Sequence, residues 1–247
     1  MSGANLVMPM AGRGSRFLRE GIPEPKPLID LNGKPFFWWA VESVRRMVPV
    51  EEMIFVVLQE HVAQWKIDEC ILQFYPSASL VVLPDVTSGS AETAALGIAE
   101  LKTALPLIVN DCDHAFVASA LPEATARLGS QWNGLLMTFR SDNPNYSFVQ
   151  LDRKGAITGT VEKVAASPFA IAGCYLFESP ELFHAEYVAY LRTCPYKELF
   201  ISGMYNQMLR DKLSVGKLVL DEHFAFGTPE EFAAVRSRME DRLAGWR

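Results

Sequence analysis

Met8-Pro9-Met10-Ala11-Gly12-Arg13-Gly14-Ser15-Arg16-Phe17, followed shortly by Pro25-Lys26-Pro27-Leu28, is the stretch on which the reading of the chain turns. Directly before it stands a short apolar run, Leu6-Val7-Met8, which is a strand if it is regular at all. A strand running into a Gly-x-Gly turn leaves bare backbone N–H groups at its carboxyl end, where anions bind in α/β sheets. Arg16 ends the turn, and Lys26 lies between two prolines that hold its backbone extended. Two glycines and two cations this close describe a holder for a polyphosphate. Phe17 stands near where a dinucleotide loop needs its third glycine, and no Gly-Lys-Ser/Thr follows as in a Walker loop.

Composition narrows what can surround that holder. The 247 residues suffice for one large α/β domain, and 49% apolar with 21% charged residues is ordinary globular composition. A net charge of −6 with no basic run argues against nucleic acid or an acidic membrane as partner. Cys70, Cys112, Cys174 and Cys194 are widely spaced, which reads as free thiols in a reducing compartment. No signal peptide or membrane-length apolar run is visible, so a soluble cytoplasmic protein is expected.

Hydrophobic period alternates through the first half. Strands are expected at 5–10, 53–58, 80–83 and 107–110, with helices at 36–47, 61–74, 90–102 and 121–128. That alternation predicts an α/β, Rossmann-like, mostly parallel sheet flanked by helices. After Gly134 the texture becomes β-rich, with strands at 135–139, 146–151, 157–163 and 171–177 as a mixed or antiparallel extension. Helices at 180–191, 202–212 and 229–243 and a strand at 217–220 complete the chain. No linker divides it, so 1–247 is read as one domain, with a nucleotide-binding half at 1–130 and an acceptor-binding half at 131–247.

Four further constellations carry chemistry. Asp111-Cys112-Asp113-His114 leaves the apolar strand ending at Asn110, on the same sheet edge as the glycine loop. Two carboxylates there suit Mg²⁺ with open positions for phosphates, and His114 is read as a local hydrogen-bonder, since Mg²⁺ prefers oxygen. Thr87-Ser88-Gly89-Ser90-Ala91-Glu92-Thr93-Ala94 is a capped helix start whose small residues also let a flat base lie on backbone. Glu162-Lys163 ends a strand, with Ala172-Gly173-Cys174-Tyr175 after it. Phe224-Ala225-Phe226-Gly227-Thr228-Pro229-Glu230-Glu231 reads as a turn into a proline-started helix.

In this order the five stretches resemble the sugar-phosphate nucleotidyltransferase family, with its GT-A-like fold, over nearly the whole chain. Its Gly-x-Gly-Ser/Thr-Arg and Pro-Lys-Pro signature is matched by Gly12, Gly14, Ser15, Arg16 and Pro25-Lys26-Pro27. Its base loop is matched by Gly89-Ser90-Ala91, its metal aspartate by Asp111, and its sugar-phosphate Glu-Lys by Glu162-Lys163, though Val164 replaces the following proline. Gly173 and Tyr175 match its Gly-x-Tyr strand, and Gly227-Thr228-Pro229-Glu230 its late motif. Where many members carry a second metal aspartate this chain has Ala225, a place to be taken by Asp113 or Asp221 or left unfilled.

The resemblance implies an enzyme that moves NMP from a nucleoside triphosphate onto a phosphorylated acceptor, first a sugar 1-phosphate, giving an NDP-sugar and pyrophosphate. It assigns Arg16 to the β/γ-phosphates and Lys26 to the α-phosphate. Ala11, Gly12, Gly14, Ser15, Gly89, Ser90 and Ala91 would hold the nucleotide, and Asp111 with Asp113 the Mg²⁺. Glu162, Lys163, Gly173 and Tyr175 would hold the acceptor. The opening Met8-Pro9-Met10-Ala11-Gly12 also looks like a subgroup that charges phosphorylated non-sugar acceptors with cytidylate in capsule or surface-polysaccharide biosynthesis. A metal-dependent glycosyltransferase and a non-catalytic nucleotide-binding module are the competing readings. The former does not explain Arg16 with Lys26, and the latter is motivated by Ala225. Phe36-Phe37-Trp38-Trp39 suggests a homo-oligomer if exposed, and a buried helix explains it as well.

Overall fold

The computed structural model describes residues 3–246 and is built on strands whose residues are apolar on both faces. β1 (Ala4–Pro9) runs into the glycine loop, α1 (Ser15–Arg19) follows, and the hairpin β2 (Asp30–Leu31) and β3 (Lys34–Pro35) leads into α2 (Phe36–Arg45). Next come β4 (Val50–Leu58), α3 (Gln59–Trp65), α4 (Ile67–Phe74), β5 (Ser79–Leu83), α5 (Ser90–Ile98) and β6 (Leu107–Asn110). β1 pairs in parallel with both β4 and β6, and β4 with β5. Period-2 alternation divides their side chains between two cores: Leu6, Met8, Phe55, Val57 and Ile108 pack on one face, Val7, Ile54, Val56, Leu107 and Val109 on the other. Burial on both faces explains the unbroken apolar runs.

The second half extends the same sheet. β7 (His114–Val117), α6 (Leu121–Ala126), β8 (Gly134–Arg140), β9 (Ser147–Leu151), β10 (Ile157–Glu162) and β11 (Phe169–Phe177) precede α7 (Pro180–Thr193) and α8 (Ile201–Arg210). β12 (Val215–Val219), β13 (Glu222–Ala225) and α9 (Pro229–Leu243) finish the chain. The nine-stranded sheet runs β5-β4-β1-β6-β11 and then branches, to β9-β10 on one side and β8-β12 on the other. β11 lies antiparallel to β6, β8 and β9, and β12 parallel to β8. β8 follows β11 on both sides of an irregularity between Ile171 and Tyr175, while along the other edge Ala170 meets β9 and Cys174–Phe177 meet β6, which is where the sheet branches. β7 and β13 pair separately across the site.

Several local expectations are corrected. The helix expected at 61–74 breaks at Lys66, which has φ 54°, so that Ile67 and Ile71 both reach the core while Val62, Trp65, Cys70 and Phe74 are only partly buried. The helix expected at 90–102 ends at Ile98, and the amides of Lys102 and Thr103 donate instead to the Glu52 carboxylate. Lys26 is not extended: it opens a short 3₁₀ turn, Lys26–Leu28. β7 falls where the sequence gives no element and β13 overlaps the stretch read as a turn from Phe224, because four-residue strands carry little periodicity. Phe36, Phe37, Trp38 and Trp39 are at most 7% exposed, so the run offers no face to a second copy. No helix among the described residues is long and apolar enough to cross a membrane.

One buried charge has a consequence for stability. Glu186 of α7 is 6% exposed and its Oε2 has no partner. Burial, with a smaller contribution from Asp211, pushes its carboxyl up to about 7. A raised carboxylate costs nothing below the unfolded value and destabilises increasingly as pH rises through the folded one. Glu186→Gln is therefore expected to leave stability unchanged at pH 4 and to raise it by ~2 kcal/mol at pH 8. Urea melts at the two pH values test this, and equal gains at both would refute it.

Candidate active site

Because β1 and β6 are adjacent and parallel, the loop after Pro9 and the turn after Asn110 leave the sheet at one edge. Between them opens a cleft of about 460 Å³, walled by Ala11, Gly12, Gly14 and Lys26 on one side, Thr87, Gly89, Ser90 and Thr93 on another, and Asp111 and Asp113 at its floor. Ser15 and Ala91 do not line it: Ser15 opens α1, and Ala91 is fully buried with its N–H donating to Leu199 O at 2.9 Å. Glu198 and Phe200 do line it, and nothing in the sequence pointed to them. Their backbone is pinned to the small-residue loop, since Leu199 N also donates to Ser88 O at 2.9 Å.

Gly89 is what permits that approach. A Cβ there would lie 2.5 Å from Leu199 N and 2.6 Å from Leu199 O, at φ +153°. Gly89→Ala is expected to push the two segments apart and cost about 3 kcal/mol. A thermal melt in parallel with nucleotide titration reads this out, and a variant as stable as the parent would show that the contact yields.

The two cations do not share a place. Lys26 Nζ lies 2.7 Å from Asp113 Oδ2 in a half-buried ion pair. Burial alone would lower Lys26, but the Asp113 carboxylate outweighs it and holds the ammonium above its usual value. Asp113 is likewise raised by burial and more than compensated by Lys26, so its carboxyl ends below the ordinary range. Asp111 goes the other way: burial and then repulsion from Asp113 push it up against the weaker pull of Lys26. Its carboxylate accepts no hydrogen bond from the described residues, although Asp111 N donates to Gly173 O at 2.8 Å. A Cβ on Gly173, whose φ is +74°, would meet Asp111 Oδ2 at 2.7 Å. The irregularity of β11 is thus what seats Asp111.

Arg16 is exposed and lines a second chamber of about 180 Å³, not the larger cleft. That chamber is walled by Asp111, Asp113, His114, Tyr146, Gly173, Tyr175, His223, Ala225 and Thr228 among others, and among the described residues only Asp111 and Asp113 belong to both cavities. Glu162 and Lys163 line neither. The Glu162 carboxylate accepts from the Ser147 hydroxyl at 2.7 Å and from that of Ser202, and Lys163 is exposed at φ 57°. Asp221 does not reach Asp111: its Oδ2 accepts from Ser119 N at 2.6 Å in the next cleft. His114 is a local hydrogen-bonder, its Nε2 3.0 Å from Asn110 Oδ1.

Metal fit can be judged from the donor set. No cluster of three or more His, Cys, Asp or Glu that could hold a metal ion occurs among the described residues. Mg²⁺ characteristically takes one or two carboxylates and completes its shell with water and substrate phosphates. Asp111, an unpaired carboxylate at the junction of two cavities, suits that mode. Asp113 is already engaged by Lys26.

Comparison with known proteins places this geometry. A protein described as 2-C-methyl-D-erythritol 4-phosphate cytidylyltransferase, from Chromobacterium violaceum, is 28% identical over 188 residues, 74% of either chain. The nucleoside-diphosphate-sugar pyrophosphorylase of Vibrio cholerae RC9 superposes with TM-score 0.82 at 24% identity, over 94% of this chain and 99% of that one. The inositol-1-phosphate CTP transferase of T. maritima gives 0.75 at 14% identity over 98% of both. These two likenesses establish the GT-A-like nucleotidyltransferase fold. The profile of the MobA-like NTP transferase domain matches residues 7–208, so the chain belongs to that family and is a nucleotidyltransferase.

Proposed function

We propose that the protein transfers a nucleoside monophosphate from a triphosphate to a phosphorylated small-molecule acceptor, a sugar 1-phosphate first, and releases pyrophosphate. The observation that carries this reading is the pair of chambers whose one common wall is Asp111 and Asp113. The larger takes the triphosphate and draws mostly on residues 1–130. The smaller takes the acceptor and draws mostly on 131–247, with Arg16 meeting the incoming phosphate instead of the β/γ-phosphates.

An acceptor phosphate oxygen attacks the α-phosphorus in line, and the bond to the β-phosphate oxygen breaks as pyrophosphate leaves with its electron pair. The second pKa of such a monoester is about 6, so the nucleophile is ionised at neutral pH and needs no general base. What remains is repulsion between anions, which positioning and fixed cations lower. Lys26, the cation beside the common wall, neutralises charge building on the α-phosphate. Asp111 would hold Mg²⁺, which when bound supplies further charge neutralisation on the triphosphate, while Asp113 holds Lys26 in place.

A second reading, transfer of cytidylate to a phosphorylated polyol, is favoured by the erythritol-phosphate cytidylyltransferase relative. A pyrophosphate-release screen of four triphosphates against phosphorylated acceptors with Mg²⁺ separates the readings. Release with a sugar 1-phosphate supports the first, and release confined to CTP with a polyol phosphate supports the second. Triphosphate binding without release from any pair would leave a nucleotide-binding module.

A further inference from the structure

The glycine loop after β1 has little backbone hydrogen bonding to hold it. Among the described residues the amides of Gly12, Arg13 and Gly14 donate to no partner, and bonding resumes with Phe17 N to Gly14 O at 3.0 Å. Free amides at the end of a strand suit an anion, and they bind it best when their spacing is fixed beforehand. At its far end the loop rests on Lys26: a Cβ on Gly14, at φ +61°, would lie 3.3 Å from Lys26 Cβ. Its middle is held by a side chain.

Arg13 Nη2 donates to Asp85 Oδ1 at 2.8 Å, and Arg13 Nε lies 3.7 Å from Glu60 Oε1. The same Asp85 oxygen accepts from Val86 N at 2.7 Å, which aims the carboxylate and couples it to the backbone that follows. Gly12 and Gly14 at one end of this bridge, and Val86 and Thr87 at the other, line the nucleotide cleft, whereas Arg13 and Asp85 do not. Their side chains are 58% and 68% exposed. The ion pair therefore runs outside the cleft and joins two of its walls, the glycine loop and the loop between β5 and α5. An exposed pair contributes little to global stability. Its effect falls instead on the loop it tethers, and so on the width of the cleft.

We propose that Arg13 and Asp85 are positioning residues for the triphosphate, clasping the glycine loop to the wall at Val86 and Thr87 so that its amides stand ready for the phosphates. Arg13 directs its charge to Asp85 and Glu60, not to the nucleotide. The assignment rests on the transferase reading for what the cleft binds.

Calorimetric titration with CTP, UTP, dTTP and ATP in Mg²⁺ identifies the triphosphate bound most tightly, and pyrophosphate release then gives KM and kcat. Arg13→Ala and Asp85→Ala are each expected to weaken that triphosphate about three- to fivefold, the scale of one exposed ion pair, and the double variant no further. The loss should fall on the triphosphate KM rather than on kcat, with urea midpoints at the wild-type value. Arg13→Lys should keep most of the affinity, because the bond to Asp85 is single and a point charge can make it. A direct contact of Arg13 with phosphate predicts a loss in Arg13→Ala and none in Asp85→Ala, and that result overturns the proposal. Additive losses in the double variant overturn it as well, and so do parallel falls in kcat and urea midpoint. Triphosphate binding without pyrophosphate from any acceptor overturns the transferase reading, while the calorimetry still judges the clasp. A protein that binds none of the four triphosphates overturns both.

Discussion

Lys26→Ala is expected to lower turnover by at least about a hundredfold, the scale of losing an electrostatic group that acts on the transition state. Sequence reasoning alone expects that variant to keep its stability, since a lysine in a phosphate loop has no structural partner. The ion pair with Asp113 changes the expectation. Removing Lys26 leaves Asp113 without a counter-ion beside Asp111, whose charge already disfavours it. A loss of about 1–3 kcal/mol should follow. Adding Asp113→Ala to Lys26→Ala should restore much of the stability and none of the turnover. Chemical denaturation and pyrophosphate release on the single and double variants measure both. Near-normal turnover in Lys26→Ala would remove its catalytic role, and unchanged stability would show the pair to be solvated.

The second large effect is of opposite sign in stability and activity. Asp111→Asn is expected to abolish at least ~99% of turnover in the presence of Mg²⁺, through loss of the one unpaired carboxylate at the common wall. In metal-free buffer above neutral pH the same change should stabilise the protein by about 1–2 kcal/mol. The sign follows from the raised Asp111 carboxyl: folding favours its neutral form, so its charge costs stability as pH rises above the ordinary carboxylate range. Mg²⁺ should stabilise the wild type by mass action and the variant much less. Thermal melts at pH 8 with and without Mg²⁺ decide it. A variant that responds to Mg²⁺ as the wild type does would move the metal elsewhere.

Much of this protein was determined by its sequence alone. Leu6-Val7-Met8 before Gly12 and Gly14, and Pro106–Asn110 before Asp111, are local statements: apolar runs too short for helices, ending in residues that leave a sheet. Parallel pairing then has to bring their carboxyl ends to one edge, so the glycine loop and Asp111 were legible as neighbours, while the Gly89 loop joined them only through the family resemblance. The late Thr228-Pro229-Glu230-Glu231 helix start is equally local, and it forms a capping box with Glu231.

Tertiary structure decided what depends on contacts distant in sequence. Glu198 and Phe200 line the nucleotide cleft through two backbone hydrogen bonds to a loop more than a hundred residues earlier, and no periodicity encodes such a contact. Lys163 has the charge and the motif for the acceptor, yet its position after β10 points it to solvent. Arg16 sits in a short helix whose orientation alone selects the second chamber. Whether Asp111 and Asp113 act alike also depended on geometry, because one carboxylate meets Lys26 and the other does not. Strand edges and turn types are written in residues near one another, whereas which charge meets which is settled only when the sheet branches at β11 and closes the site.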